Sequence, residues 1–420
     1  MNIPETDLPR VVVIGCGFAG LKFIKKVNSR YYQIVLFDKN NYHTFQPLMY
    51  QVATAGLEPD SIVYPIRKIF KGKKNFYFRM AEVQEVDTKL KEVRTSLGKL
   101  SYEHLVIATG ATNNFFGMKD MEDHSLPMKS LVESLDLRSK ILQNFEAALN
   151  TSDIREREAL MNFVIVGGGA TGVELAGALA ELKKHVLPHD YPDLDVRRMQ
   201  IHVVEAADRV LSAMSQNASQ KSEDFLRKLG VNVWLNTKVL GYDGTLVNTD
   251  KKELMAKTLI WSAGVQGDPV DGLKVEMARG NRLPVNEFAQ LEDYDKVYAL
   301  GDVAMMATEK HPNGHPMLAS VAGQQGGWLA NNFNRLARGK ELRPFTYLDK
   351  GTMATVGRNL AVVDLKNFKF SGLFAWLTWM FVHLMLLVDY RSRLIVFVNW
   401  VWSYFKYDRG ARVIVRKSTK

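Results

Sequence analysis

The chain of 420 residues contains a single cysteine, Cys16. One cysteine excludes an intramolecular disulfide, a redox dithiol and a cysteine-ligated metal site. The sequence also lacks the spacing of zinc ligands, a P-loop lysine and a Ser-His-Asp order, so we predict neither a bound metal nor a hydrolytic triad. Residues 1–7 lack the basic and then apolar order of a signal peptide, which favours a cytoplasmic, reducing setting.

Long apolar runs are also missing. Residues 373–388 and 394–405 are mostly apolar, but each run is shorter than the roughly 20 residues that a membrane-spanning helix needs. A helix through both runs would bring Asp389, Arg391 and Arg393 near the bilayer centre, at a cost of about 2.5–3.5 kcal/mol each. The sequence therefore predicts no transmembrane helix.

The positive charge is concentrated at the same end of the chain. The formal net charge is +10, and the last 32 residues hold eight Lys and Arg against two Asp. These charges lie beside apolar, Trp-rich helices and not along an aromatic-lined groove, so we predict a lipid surface and no nucleic acid as partner. We expect a monotopic anchor in the membrane interface, with a polar stripe at 399, 403 and 406. The alternative is a pair of buried helices that dimerise or close the core.

A nucleotide-binding fingerprint opens the chain. Residues 11–14 form a β-branched apolar run that is typical of a buried parallel strand. Gly15 permits the tight turn that follows, Gly17 allows close approach of a pyrophosphate, and Gly20 allows the helix to pack on the strand. A second strand ends at Asp38, which is placed to accept hydrogen bonds from ribose hydroxyls.

The same pattern occurs a second time. Residues 163–166 lead into a glycine-rich turn at 167–172, and a strand at 201–204 ends in Glu205. Two dinucleotide sites in a chain without a dithiol indicate electron passage between two bound dinucleotides. A carboxylate at Glu205 favours the free 2′-hydroxyl of NADH over the 2′-phosphate of NADPH, although Arg209 would soften that preference.

These features, and ordered matches along nearly the whole chain, resemble the type II NADH:quinone oxidoreductases, which are single-chain flavoenzymes of the membrane surface. The matching segments are 42–53, 108–110, 167–174, 261–264, 300–302, 372–376 and 407–412. The resemblance implies an α/β fold with two Rossmann-like dinucleotide-binding domains and a C-terminal membrane-anchoring domain. We predict a discontinuous FAD-binding domain at 1–118 and 266–330, an NADH-binding domain at 119–265 and an anchoring domain at 331–420.

The resemblance also implies an activity. In this family hydride passes from NADH to FAD, and two electrons then pass to a membrane quinone without proton pumping. The implied location is the cytoplasmic face of the inner (cell) membrane, and many relatives are homodimers. The residues implied for FAD are Gly15, Gly17, Phe18, Ala19, Gly20, Asp38, Lys39, Pro47, Leu48, Val83, Thr109, Gly110, Gly301 and Asp302. The residues implied for NADH are Gly167, Gly169, Thr171, Gly172, Glu174, Glu205, Gly264 and Val265.

Two residues are implied as catalytic, Glu174 and Gln324. Glu174 would lie beside the stacked nicotinamide and flavin, and the alternative is a first-turn helix residue favoured only by the helix dipole. The quinone end involves Gln324, Gln325 and Lys369, with the loop around 47–48. Ser320 stands where many relatives have glutamine, which leaves the hydrogen bonding to quinone open at that position.

Three other classes of protein fit part of the sequence. Sulfide:quinone oxidoreductases share the architecture but use active-site cysteines, which Cys16 alone cannot supply. Soluble reductases of iron–sulfur proteins share the two glycine-rich turns but have no need of a Trp-rich tail. A signalling flavoprotein that engages nucleic acid is the third class.

Overall fold

The protein is described by a computed structural model that covers residues 1–406 and 410–414. Residue contacts divide the chain into two units. The first unit comprises Met1–Thr44, Val63–Thr112 and Val265–Asp349, and the second comprises Phe45–Ile62, Asn113–Gly264 and Lys350–Lys420. Residues 407–409 and 415–420, with part of the matching segment 407–412 and of the basic tail, lie outside the described residues.

The described residues form both strands and helices, and two long runs of strands, β5 to β10 and β14 to β22, contain no α-helix. The strands are β1 (Arg10–Ile14), β2 (Gln33–Asp38), β3 (Tyr42–Thr44), β4 (Val63–Pro65), β5 (Phe76–Met80), β6 (Val83–Asp87), β7 (Glu92–Thr95), β8 (Gly98–Ser101), β9 (His104–Ile107), β10 (Ala111–Asn113), β11 (Leu126–Pro127), β12 (Phe163–Val166), β13 (Ile201–Val204), β14 (Asn232–Trp234), β15 (Val239–Tyr242), β16 (Leu246–Thr249), β17 (Glu253–Met255), β18 (Thr258–Trp261), β19 (Val265–Gly267), β20 (Leu283–Val285), β21 (Val297–Ala299), β22 (Ala304–Met306), β23 (Thr352–Gly357), β24 (Leu360–Asp364) and β25 (Lys369–Ser371).

The α-helices are α1 (Phe18–Lys26), α2 (Met49–Ala53), α3 (Ile66–Ile69), α4 (Lys119–His124), α5 (Leu131–Asn150), α6 (Ile154–Met161), α7 (Ala170–His185), α8 (Leu187–Asp190), α9 (Gln216–Lys228), α10 (Ala319–Leu336), α11 (Leu373–Leu386) and α12 (Tyr390–Lys406). Short 3-10 helices cover Gln46–Leu48, Pro59–Ser61, Val196–Arg198 and Gly301–Val303.

A five-stranded parallel sheet forms the centre of the first unit, in the order β21-β9-β1-β2-β5. Every residue of β1 is buried, as the continuous apolar run predicts for a strand covered on both faces. Helix α1 follows β1 and packs on α10. The contact is close because Gly326 faces the carbonyl oxygen of Ala19, which a Cβ at position 326 would overlap.

The second unit repeats this plan. Its five-stranded parallel sheet has the order β11-β18-β12-β13-β14. An antiparallel sheet, β15-β16-β17, directly precedes the core strand β18, just as β6-β7-β8 directly precedes β9 in the first unit. The internal repeat therefore extends beyond the βαβ element to the antiparallel insertion and the strand that follows it.

Two segments that the predicted domain bounds place elsewhere belong to the second unit. Helix α2 packs on α5 and α7, which accounts for residues 45–62. The antiparallel sheet β23-β24-β25 packs on α7 through β23, because Gly177 lies against the carbonyl oxygen of Val356 and leaves no room for a Cβ. Helix α11 then packs on β24, so residues 350–406 continue the second unit.

Helices α11 and α12 bury one side each. The buried residues are Ala375 and Trp379 on α11, and Ser392, Val396 and Trp400 on α12. Of the predicted polar stripe, Asn399 and Ser403 are half-buried and face the protein, whereas Lys406 is exposed. Over residues 1–406 and 410–414, no helix has both the length and the apolar character to cross a membrane.

Candidate dinucleotide sites

The first glycine-rich turn joins β1 to α1 and is shaped by close backbone contacts. Gly15 has φ 97°, and a Cβ there would overlap the carbonyl oxygen of Ala108. A Cβ at Gly20 would likewise overlap the carbonyl oxygen of Gly15. Around Gly17, by contrast, no described atom beyond its two chain neighbours lies within 4 Å of the Cβ position. Gly17 is also the N-cap of α1, without a side-chain cap among the described residues, so N–H groups at the helix start are available for a pyrophosphate.

Asp38 closes this turn from the end of β2. Its Oδ2 accepts a hydrogen bond from the backbone N–H of Cys16 at 2.7 Å, and its Oδ1 accepts from the N–H of Asn40 at 2.7 Å. Burial raises the pKa of Asp38, and the two N–H donors partly offset that rise. Each carboxylate oxygen retains a lone pair, so Asp38 can hold the turn and still accept from ribose hydroxyls.

The same unit gathers further polar groups predicted for FAD. Thr109 has a buried hydroxyl with no hydrogen-bond partner in the described part of the chain. Gly301 has φ 74°, and its N–H donates to the side-chain oxygen of Gln325 at 2.7 Å. Asp302 follows in the same 3-10 turn. An open glycine turn, a carboxylate at the end of β2 and an orphaned hydroxyl fit the adenine dinucleotide part of FAD.

The remaining residues predicted for FAD have varied surroundings. Val83 is buried in β6, Lys39 is exposed, and Gly110 adopts φ 84°. Pro47 and Leu48 belong to the second unit. Phe18 and Ala19 form the first turn of α1.

His43 contacts the first glycine turn, which the sequence did not predict. Its Nδ1 lies 2.8 Å from the carbonyl oxygen of Cys16, and its ring packs edge-on against Phe18 at 5.3 Å. Burial lowers the pKa of His43 to about 4, so the ring is neutral near pH 7 and Nδ1–H is the donor. His43 thus supports the first glycine turn from 27 residues away in sequence.

The second glycine-rich turn has matching geometry. Gly167 has φ 105°, and a Cβ there would lie 2.7 Å from the carbonyl oxygen of Ser262. A Cβ at Gly172 would overlap the carbonyl oxygen of Gly167. Gly169 is the N-cap of α7, and no described atom beyond its two chain neighbours lies within 4 Å of its Cβ position. The two glycine turns therefore offer the same open helix start.

Glu205 closes the second turn as Asp38 closes the first. Its Oε2 accepts from the N–H of Gly168 at 2.6 Å, and its Oε1 accepts from the N–H of Ala207 at 2.7 Å. Arg209 directs its guanidinium to the carbonyl oxygen of Ser212 at 3.1 Å. The carboxylate is therefore placed at the end of β13, where a ribose 2′-hydroxyl would be recognised.

Other residues predicted for NADH lie near this turn or apart from it. Thr171 is exposed in the first turn of α7. A Cβ at Gly264 would lie 2.7 Å from the ring of Phe116, an exposed residue with φ 52° that the sequence analysis did not identify. Val265 belongs to the first unit.

Glu174 is buried in the second turn of α7. Burial raises its pKa to about 8, and the N–H of Thr355 and the indole of Trp379 oppose this rise. Thr355 donates to Oε1 at 3.5 Å, whereas the Trp379 N–H has no well-aligned acceptor in the described part of the chain. Glu174 is therefore held away from solvent, in the turn that follows the helix start.

The residues predicted for the quinone end have different surroundings. In the first unit, the Gln324 amide pairs with the backbone of Leu348, accepting at 3.0 Å and donating at 2.9 Å. One turn earlier on α10, the hydroxyl of Ser320 lies 3.2 Å from that of Tyr347. Gln325 instead supports Gly301. Lys369, in the second unit, is exposed on β25.

Comparison with known proteins identifies the class of protein first. Residues 9–326 match the family model "Pyridine nucleotide-disulphide oxidoreductase", and residues 350–407 match "NDH2 C-terminal domain". A structure of NDH2 from Plasmodium falciparum in complex with NADH is similar in fold, with a TM-score of 0.88 at 21% identity over 97% of this chain and 100% of that chain. The sulfide:quinone oxidoreductase of Aquifex aeolicus gives a TM-score of 0.71 at 19% identity over 94% and 95%.

A curated relative then gives the family. The type II NADH:quinone oxidoreductase Ndh of Mycobacterium tuberculosis is 32% identical over 422 residues, which cover 96% of this chain and 90% of that protein. The chain belongs to the type II NADH:quinone oxidoreductase family. The predicted family, α/β fold class and oxidoreductase class are confirmed.

Proposed function

We propose that the chain is a flavin-dependent NADH:quinone oxidoreductase that passes reducing equivalents from NADH through FAD to a membrane quinone. The observation that carries this proposal is the pair of matching glycine turns, each closed by a carboxylate, in a member of this family. The predicted activity and the set of FAD, NADH and quinone acceptor are confirmed by the family. Bound FAD supplies the two-electron redox chemistry.

The first unit supplies the groups proposed to hold FAD. The open start of α1 at Gly17 suits the pyrophosphate, Asp38 suits the ribose, and the orphaned hydroxyl of Thr109 gains a partner. Gln325 acts as a positioning residue, because it holds the N–H of Gly301 beside Asp302.

The second unit supplies the groups proposed to bind NADH. Gly169 at the start of α7 suits the pyrophosphate, and Glu205 suits the free 2′-hydroxyl of the adenosine ribose. Glu174 is proposed to hold a proton near neutral pH, which its raised pKa of about 8 supports, and to release it when the acceptor is reduced.

The quinone-side roles remain with Gln324 and Lys369. The Gln324 amide is fixed against Leu348 but retains one N–H and one lone pair. These groups suit a quinone carbonyl or a quinol hydroxyl. Lys369 is exposed, which leaves its ammonium accessible to an acceptor or to a lipid headgroup.

Helices α11 and α12 are proposed to lie on the membrane. Their outward sides carry large apolar residues, including Phe374 at 76% exposure, Phe381 at 65%, Trp402 at 57% and Phe405 at 75%. A patch of this kind marks an interaction surface, and the basic tail suits anionic lipid. Association with the cytoplasmic face and homodimerisation are proposed from the family resemblance.

Vesicle flotation tests the membrane proposal. The triple substitution Phe374→Ser, Phe381→Ser and Phe405→Ser should weaken binding to anionic phospholipid vesicles at least about 100-fold, since each Phe loses about 2 kcal/mol of apolar transfer. These side chains point outward, so the buried Trp379 and Trp400 keep their packing. The control is Leu240→Ser, at a 61% exposed position on β15. Equal flotation of the triple variant and the control would contradict the proposal.

Anaerobic mixing tests the activity. The purified protein should be yellow, NADH should bleach the flavin absorbance, and a short-chain quinone should restore it. A colourless protein, or a flavin band that NADH leaves unchanged, would overturn the proposed function.

Sedimentation in mild detergent would test the proposed homodimer, and a monomer at micromolar concentration would contradict it.

A further inference from the structure

One face of α7 carries a row of three titratable residues, with Ala178 between the first two. Glu174, Ala178, Glu181 and His185 follow each other at helical spacing, and all four line one cavity of about 130 Å³ in the second unit. Glu174 is buried at one end of the row. The side chains of Glu181 and His185 are 13% and 25% exposed at the other end. The row thus leads from a buried carboxyl toward solvent.

Strand β23 runs along the same helix and fixes both carboxyl groups. Its Thr355 N–H donates to Glu174 at 3.5 Å, and the N–H of Arg358, just after the strand, donates to Glu181 at 3.4 Å. Gly177 lies between them against the strand backbone. The carboxyl positions are therefore set by packing and not by surface flexibility.

The outer two members of the row are in contact. His185 Nε2 lies 3.6 Å from Glu181 Oε2, just beyond hydrogen-bond distance, so a small side-chain movement brings the two groups into contact for proton exchange. Glu174 and Glu181 are seven residues apart, or about 10 Å along the helix axis, so transfer between them needs water. The cavity is large enough for several waters, and its polar lining provides hydrogen-bond partners.

Other titratable and aromatic groups around the cavity do not separate Glu174 from Glu181 and His185. The lining includes Arg358, whose guanidinium lies 3.8 Å from the centre of the Tyr404 ring, and Tyr50 from α2. Helix α11 contributes Trp376, Trp379 and Met380 to the lining, with His383 stacked behind Trp379 at 4.1 Å. Burial lowers the pKa of His383 to about 4, so this ring is uncharged near pH 7.

The reaction requires a proton from solvent. NADH loses a hydride as its C4–H bond breaks, and the quinone gains two electrons and two protons as two O–H bonds form. One of those protons comes with the hydride, so each turnover takes up one proton from water. A buried Glu174 carboxylate that has released a proton must therefore be reprotonated from solvent.

We propose, on the basis of the proposed function, that Glu181 and His185 relay this proton through the cavity to Glu174. A proton enters at the partly exposed His185, passes to Glu181 and crosses the cavity water to the Glu174 carboxylate. Glu181 and His185 are positioning and relay residues, and neither takes part in hydride transfer.

The pH profile of the flavin-loaded enzyme tests the relay. In Glu181→Gln and His185→Gln, kcat with a short-chain quinone should fall about tenfold at pH 8.5 and less than about twofold at pH 6. The deficit shrinks in acid because protons then reach Glu174 without the relay. The solvent deuterium isotope effect on kcat should rise in both variants. The anaerobic rate of flavin bleaching by NADH should stay within about twofold, because that step takes up no solvent proton.

Two further variants separate a relay from a merely structural role. Ala178→Val fills the cavity without changing charge and should reproduce the alkaline deficit, whereas Lys184→Gln, at an exposed neighbouring position, should leave kcat unchanged at every pH. In His185→Ala, added imidazole should restore kcat at pH 8.5.

Three outcomes would overturn the relay: wild-type pH profiles in Glu181→Gln and His185→Gln, an equal loss of flavin bleaching and turnover, or no rescue by imidazole. A wild-type enzyme that reduces no quinone would instead overturn the proposed function.

Discussion

The two glycine turns have similar geometry, but the helices that follow them, α1 and α7, pack against different elements. Both turns have an open N-cap glycine, a positive-φ first glycine and a carboxylate that accepts from the turn backbone. Helix α1 has nine residues and packs on another helix, α10. Helix α7 has 16 residues, packs on the edge of a sheet at β23, and lines a cavity with its acidic face.

This difference indicates how one folding plan serves two tasks. Close glycine contacts recur wherever a dinucleotide must approach the backbone, so the turns stay alike. The helix behind each turn is free to differ. The longer helix carries the ionisable residues that the proposed proton chemistry needs, and the shorter one is closed by apolar packing.

The largest expected effect comes from adding a methyl group to either turn. Gly20→Ala should give a colourless protein with no activity, because its Cβ overlaps the Gly15 carbonyl oxygen and distorts the turn proposed to hold FAD. Gly172→Ala should stay yellow but raise KM for NADH at least about 100-fold, since a distorted turn loses several hydrogen bonds. Flavin absorbance and NADH titration distinguish the two cases. The control is Gly323→Ala on α10, where the nearest neighbour is 3.8 Å away. Loss of flavin from both turn variants would end the assignment of separate cofactors.

Glu174 gives the next largest effect. Glu174→Gln should lower kcat about tenfold to a hundredfold while FAD stays bound, because the amide cannot release a proton.

The same substitution, Glu174→Gln, should also change the pH dependence of the free energy of unfolding. The folded carboxyl has a raised pKa of about 8, so wild type loses stability as pH rises from the unfolded value of about 4 through 8. Urea unfolding should therefore show a smaller loss from pH 5 to pH 9 in the variant, by at least about 1 kcal/mol. Parallel pH dependence in both proteins would argue against a buried, protonated Glu174.

Glu205 tests the choice of nucleotide with a smaller effect. Wild type should prefer NADH, and Glu205→Gln should raise the NADPH/NADH ratio of kcat/KM about tenfold, or about 1.4 kcal/mol. The amide keeps one oxygen for one of the two backbone donors, Gly168 or Ala207, and removes the charge that repels a 2′-phosphate. Asp38→Asn is the matched change in the first turn and should leave the ratio alone. Equal kcat/KM values for both nucleotides in wild type would contradict the predicted preference.

The smallest effect is expected at Ser320. Ser320→Ala removes the contact with the Tyr347 hydroxyl and should raise KM for a short-chain quinone about twofold to fivefold, near the 1 kcal/mol of one hydrogen bond. KM for NADH should not change. Gln324→Ala should have a larger effect of the same kind. If Ser320→Ala alters neither constant, the departure from the family at this position has no part in quinone binding.

The sequence was sufficient for features that are local along the chain. The glycine turns, their strands and the closing carboxylates at 38 and 205 follow from short patterns whose steric logic is known. The surroundings of Glu174 were not predictable, because Thr355 is 181 residues away and no short motif encodes that contact. The insertion at 239–255 was missed because its strands are short and carry several charged residues. The pattern predicted a polar stripe at 399, 403 and 406, but only packing shows that 399 and 403 face inward and 406 does not.

The burial of Cys16 has a practical consequence. The thiol is 1% exposed, and burial raises its pKa well above the ordinary value, so a reagent that attacks thiolates can reach it only when the turn opens. The chain thus carries its own internal reporter. The rate at which a thiol reagent labels Cys16 would measure how often the first glycine turn opens, with no engineered cysteine.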